Sequence, residues 1–168
     1  MVTGAALGTY EMELTQELAN LGVKAAQAKA KALGTPMSVS IVDKAARLVM
    51  FVRADGAGVF TPESTRGKAA AAAALRRRTS ELGNYGGSPS ILAIYAGLVP
   101  GGFWPAQGGS PIVHDGKVLG GVGCGGGSGE QDQECANAAA EAIAEAFARK
   151  VARPTRARRR GRAARSRR

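Results

Sequence analysis

A chain of 168 residues has the length of a single domain. It is 45% apolar, but 33 residues are alanine and aromatics make up only 5%, so its core must be laminated from small side chains rather than pinned by a few large ones. The net charge of +10 belongs to one end: residues 153–168 hold nine Arg and no acid, leaving 14 basic and 13 acidic side chains in residues 1–152. A nearly neutral body confines any polyanion partner to the tail.

Two cysteines, Cys124 and Cys135, with no CxxC, make no disulfide framework; free thiols in a reducing compartment are expected. The N-terminus has no basic region followed by an apolar stretch, and Glu11, Glu13 and Glu17 come too early for a signal peptide. No apolar run nears the roughly 20 residues of a membrane helix. The sequence as written reads as cytoplasmic.

The first element is a helix over residues 10–33, with Leu14, Leu18, Leu21, Val23 and Ala25 at helical steps and Gly34 and Pro36 as the stop. Gly22 lies inside it. Residues 37–54 follow as a hairpin: Val39, Ile41 and Val42, a polar turn at 43–47, then Leu48, Val49, Met50, Phe51 and Val52. Thr61 offers a capping hydroxyl, with Pro62 at the first helical position and Glu63 in the first turn. That helix runs through Lys68 and six alanines to Leu75, and Arg76, Arg77 and Arg78 complement its dipole.

Ser88, Pro89 and Ser90 start a short helix that ends at Leu98, before Pro100 and Gly101; residues 103–109 form a loop containing the only Trp. Apolar runs on either side of His114, Asp115 and Gly116 make a second hairpin, because Asp-Gly between such runs is a strong turn signal. A glycine-rich stretch, 120–129, leads into a last helix over 131–151 with Ala136, Ala139, Ala140, Ile143, Ala144 and Phe147 on its apolar face. Tight hairpins separated by helices define an antiparallel sheet covered by helices, an α+β domain spanning 1–152. The tail, 153–168, has no hydrophobic period and is expected to be disordered.

Candidate chemistry is sparse. His114 is the only histidine, so neither a zinc site nor a Ser-His relay is available, and a turn residue is expected there. The glycine run contains GxGxxG at Gly121, Gly123 and Gly126 but no Gly-Lys-Ser/Thr and no βαβ unit. It offers either close backbone packing or an anion seat at the helix start. Cys124, beside that start, is either a thiol of lowered pKa or a small buried side chain. Lys68 and Thr79 lie eleven residues apart, about three turns, and would share a face if the helix persisted. Tyr85, Tyr95, Phe103 and Trp104 could wall a flat apolar ligand or fill the core. The arginine tail suits non-specific polyanion contact of steep salt dependence.

Taken together, the motifs ALGTPMSVSIVDKAARLVMFVRADGA, STRGKAAAAAALRRRTSELG and GGSPIVHDGKVLGGVGCGGGSGEQDQECANAA resemble the GlcG/HbpS haem-binding family. The same domain forms the C-terminal part of PduO-type cobalamin adenosyltransferases. The resemblance covers about residues 10–148 and implies a profilin-like sandwich with a sheet of about five strands, assembled into homo-oligomers. It implies a haem, possibly cobalamin, ligand that is sequestered or transferred, with Thr79 nearest the metal and Lys68, Arg76, Tyr85 and Phe103 around it. Arg53 and Asp55 fall at the end of the family hairpin, and Asp132 on the acid that opens the last helix. Ala46 stands where the family has Gly, and Cys124 where it has Ser. Two other readings remain: an accessory enzyme or binding protein of glycolate, small hydroxy-acid or corrinoid metabolism, with the glycine loop holding the anion, and a polyanion binder acting through the tail.

Overall fold

The computed structural model describes residues 14–82, 89–99 and 102–152. The start of the expected first helix, the Ser88 cap, Tyr85 and the arginine tail lie outside them. In chain order come α1 (Gln16–Ala32), β1 (Ser38–Asp43), β2 (Leu48–Val52), α2 (Thr61–Leu75), a short 3-10 turn (Thr79–Leu82), α3 (Pro89–Leu98), β3 (Gly109–His114), β4 (Lys117–Gly125) and α4 (Gly129–Ala152). Each hairpin pairs internally, and β1 joins β4, giving an antiparallel sheet of order β2-β1-β4-β3. The described residues thus form a four-stranded sheet where about five strands were expected; the two hairpins supply all four.

Period-two alternation gives the sheet two different faces. Val39 and Ile41 of β1, with Val122 and Cys124 of β4, join the main core with α1 and α4, which also holds Leu18, Val23, Ala139 and Ile143. The buried stripe of α1 is Leu18, Ala19, Gly22, Val23, Ala26 and Ala30. Leu21 is 40% exposed and falls off it, a 3.6-residue stripe being narrower than the apolar pattern suggests. Gly22 is there for contact, since a Cβ would run into Ile143 of α4.

The opposite face carries α2. Ser38, Ser40 and Val42 point to it from β1. Ser38 Oγ lies 3.0 Å from Thr61 Oγ1 and Ser40 Oγ 2.8 Å from Thr65 Oγ1, while Val42 packs on Ala69 and Ala73. Thr61 therefore does not cap the helix by its hydroxyl: Oγ1 donates to Gly58 O at 2.9 Å and reaches across to β1. On β4 the matching positions are Gly121, Gly123 and Gly125. A Cβ on Gly123 would meet Thr65 O, and one on Gly121 would meet Ala69 O and Ala73 N. Glycine facing alanine brings a helix and a strand close enough for backbone to lie on backbone, which resolves the glycine-rich run as a packing device.

Ala46 adopts φ 58°, a left-handed conformation that favours glycine, and the Asp43 carboxylate holds the turn by accepting from Ala45 N and Arg47 N at 2.8 and 2.9 Å.

Gly123→Ala is expected to lose about 3 kcal/mol or more in urea unfolding, because its new methyl meets main chain that cannot step aside. Gly97→Ala in α3, where a Cβ meets nothing within 4 Å, is expected to leave stability unchanged or raise it by up to about 1 kcal/mol.

Candidate functional site

α2 stops at Leu75, where Arg76 takes φ 56° and reverses the chain. The arginines therefore follow the helix rather than lying in its last turn, and Thr79 does not share a helical face with Lys68. The two still approach one point, the start of β3. The strand lies so close to them that a Cβ on Gly108 would come within 2.9 Å of Lys68 Nζ and one on Gly109 within 3.0 Å of Thr79 Oγ1.

Lys68 is 6% exposed. Its ammonium donates to Asp132 Oδ2 at 2.7 Å and to Cys124 O at 3.0 Å, and the second Asp132 oxygen accepts from Gly127 N at 3.0 Å. Asp132 thus opens α4 as expected, with a buried cation as its main partner. Thr79, 1% exposed, accepts from Gly109 N at 2.7 Å. Behind it stands Gln133, which the sequence reading did not single out. Its Oε1 accepts from Gly108 N (3.0 Å) and Ser80 N (3.2 Å), and its Nε2 donates to Gly109 O (3.0 Å), Ser110 Oγ (2.8 Å) and Asn137 Oδ1 (3.0 Å). A polar residue three and seven positions before Ala136 and Ala140, on one stripe, is the signal that could have found it.

The proposed anion seat is filled from within the chain. Ser128 Oγ accepts from Gln131 N (3.3 Å) and Gln131 Oε1 accepts from Ser128 N (2.9 Å), a reciprocal cap at the start of α4. Cys124 sits at the inner face of β4, not at a helix end. Burial pushes its thiol well above the ordinary range, reinforced by the neighbouring Cys135 and Asp132 and opposed by Lys68. Cys135 is pushed up to about 11, chiefly by burial and then by Asp132 and Glu134. Both are free and buried, so the lowered-pKa reading of Cys124 is corrected. His114 is a turn residue stacked edge-on against Phe147 at 5.2 Å.

Outside this interior lies an aromatic shelf. Trp104 N donates to Gly67 O of α2 at 3.1 Å, and a side chain on Gly67 would strike Trp104. Phe60 packs on Trp104 at 5.6 Å between ring centres, and Tyr95 of α3 on Phe103 at 5.8 Å. Phe103 is nearly buried, whereas Phe60, Trp104, Ile94 and Leu98 are 42–72% exposed. Residues 104–109 pass Gly67 and Lys68 of α2 and reach Thr79 beyond its end, and Arg76 is exposed. Among the described residues no three His, Cys, Asp or Glu gather into a metal site, and no helix is long and apolar enough to cross a membrane.

The chain that carries this buried lysine–aspartate tie has known relatives. The family model described as haem-degrading protein, HbpS-like, matches residues 14–141, and the chain belongs to that family. It is similar to the Klebsiella pneumoniae protein ORFY (26% identity, TM-score 0.70, covering 81% of this chain and 94% of that one). It is also similar to PduOC solved as a haem complex (30% identity, TM-score 0.65, 77% and 94%). A Streptomyces reticuli HbpS double mutant matches at 30% identity and TM-score 0.65, covering 84% and 94%.

Lys68→Met is expected to destabilise the fold by about 3–5 kcal/mol in denaturant unfolding, since it strands a buried carboxylate, and Asp132→Leu added to it recovers part of the loss. Neither thiol is expected to react with a disulfide reagent at pH 8 in the native protein, because both stay protonated and covered; both react in guanidinium. The raised Cys135 value also sets a sign: the unfolded thiol ionises first, so its contribution to stability is full below the unfolded pKa near 9 and is lost as pH climbs toward about 11, and Cys124 acts in the same direction.

Proposed function

We propose that this protein binds haem on the outer side of α2 and holds it for sequestration or transfer. The observation that carries this reading is the 30% identity and 77% coverage shared with a family member solved as its haem complex. That neighbour names haem, and cobalamin has no comparable support. The donor set was tested against the ligand. Lys68 is committed to Asp132 inside the chain, so it fits as a positioning residue and not as a partner for propionates. The exposed rings and α3, which has no charged side chain in PSILAIYAGL, fit a flat apolar face. Arg76, exposed just past the end of α2, fits a propionate carboxylate. Phe103 backs the shelf. Thr79 is sealed, with its hydroxyl taken by Gly109 N, so it fits as a residue that positions the 103–109 segment behind the haem and not as an iron ligand. The homo-oligomer implied by the resemblance would cover the rest of the exposed apolar surface of α3.

Haemin titrated into micromolar protein is expected to give a saturable Soret band, weakened several-fold by Arg76→Gln. Thr79→Ser keeps the band position, and Thr79→Val shifts it while the circular dichroism stays native. Absence of any band sinks the proposal. Rapid bleaching of the band under a mild reductant rejects storage in favour of turnover.

A further inference from the structure

A groove lies between the edge strand β3 and α4, and its reading does not rest on haem binding. It has a volume of about 240 Å³ and is lined by Arg78, Ser110, Pro111, Val113, Asn137, Ala140, Glu141 and Ala144. A groove beside an edge strand is ordinarily a place for a peptide to add as another strand. Here that use is blocked. Gly109 turns its N–H and C=O away from β4, to Thr79 Oγ1 and Gln133 Nε2. Pro111, two residues on, faces the same way and has no N–H to offer. The occupant is therefore not an added strand, and the volume, below the roughly 300–1,000 Å³ of drug-sized sites, calls for a small molecule.

Its chemistry follows from a relay of amides whose orientation starts in the main chain. The backbone N–H groups of Gly108 and Ser80 fix which end of Gln133 is oxygen. Gln133 Nε2 and the Ser110 hydroxyl (2.5 Å) then both donate to Asn137 Oδ1. The Asn137 amide is locked with its oxygen inward, and its NH₂ has no acceptor among the described residues, on a side chain that lines the groove. Arg78, exposed, also lines the groove, and it precedes Thr79, whose hydroxyl holds Gly109 beside Ser110. Beyond them Pro111, Val113, Ala140 and Ala144 make an apolar wall, and Glu141 stands on the rim one helical turn from Asn137. A fixed amide donor and a guanidinium, with grease behind, select a carboxylate on a short apolar body. We propose that this groove binds small aliphatic monocarboxylates, with the carboxylate on Asn137 Nδ2 and Arg78.

The test is a titration of the full chain with 4-methylpentanoate, followed by amide chemical shifts, with 4-methylpentan-1-ol as the uncharged control. The acid is expected to saturate, with shifts centred on residues 78, 110–113 and 137–144, and the alcohol to bind at least tenfold more weakly. Arg78→Gln should weaken binding about tenfold. Asn137→Asp keeps both accepted hydrogen bonds, so the fold survives, but it replaces the donor with a negative charge and should abolish binding. Glu141→Gln should tighten it two- to threefold by removing a like charge. Equal binding of acid and alcohol, or indifference to both Arg78→Gln and Asn137→Asp, overturns the proposal. So does loss of acid binding in haemin-saturated protein, which would make the groove a seat for propionates.

Discussion

The Lys68–Asp132 pair holds this structure together across its layers. Lys68 belongs to the helix on one face of the sheet and Asp132 to the first turn of the helix packed on the other. They meet at 2.7 Å with side chains 8% and 7% exposed, beside the end of β4. Burying two charges is costly, and their attraction offsets that cost only when the remaining donors and acceptors are filled. Here Cys124 O and Gly127 N fill them. The pair fixes how far α4 reaches around the sheet edge, which in turn sets Gln133 against Gly108 and Thr79.

That tie depends on a sheet thin enough for a lysine to reach past it. Glycines at 121, 123 and 125 let α2 settle onto β4, and the alanines of α2 keep it there. Ser40–Thr65 and Ser38–Thr61 satisfy the polar groups this closeness buries. The result is a body with little hydrophobic area per residue but very short layer spacing, in which stability comes from fit more than from bulk. Several larger apolar side chains, Phe60, Trp104, Ile94 and Leu98, are left outside.

Much of the frame was legible in the sequence. The Asp115-Gly116 turn, the Thr61-Pro62 helix start and the heptad-like apolar face of α4 are local signals; α1, expected from residue 10, begins only at Gln16, because Thr15 caps it by accepting from Leu18 N and leaves Leu14 outside the helix. The interior chemistry was less legible because it is non-local. A lysine ahead of an alanine run carries no sign of its partner, and only the fold reveals Asp132, 64 residues away, in that role. Gln133 likewise has its partners in the distant main chain of residues 108–109. Cys124 was misread as lying near a helix end because β4 runs on to Gly125 and carries the thiol into the core. Of the residues expected around a ligand, Lys68, Thr79 and Phe103 are buried, Arg76 is exposed, and Tyr85 lies outside the described residues.

The division between an inner tie and an outer ligand face is tested most directly by paramagnetic broadening of amide resonances as ferric haemin is added. Broadening is expected around residues 76–80 and 93–104, with the Lys68 and Asp132 signals shifted little. Broadening centred on α1 or on the exposed face of α4, or collapse of the Lys68 and Asp132 environment on binding, would contradict it.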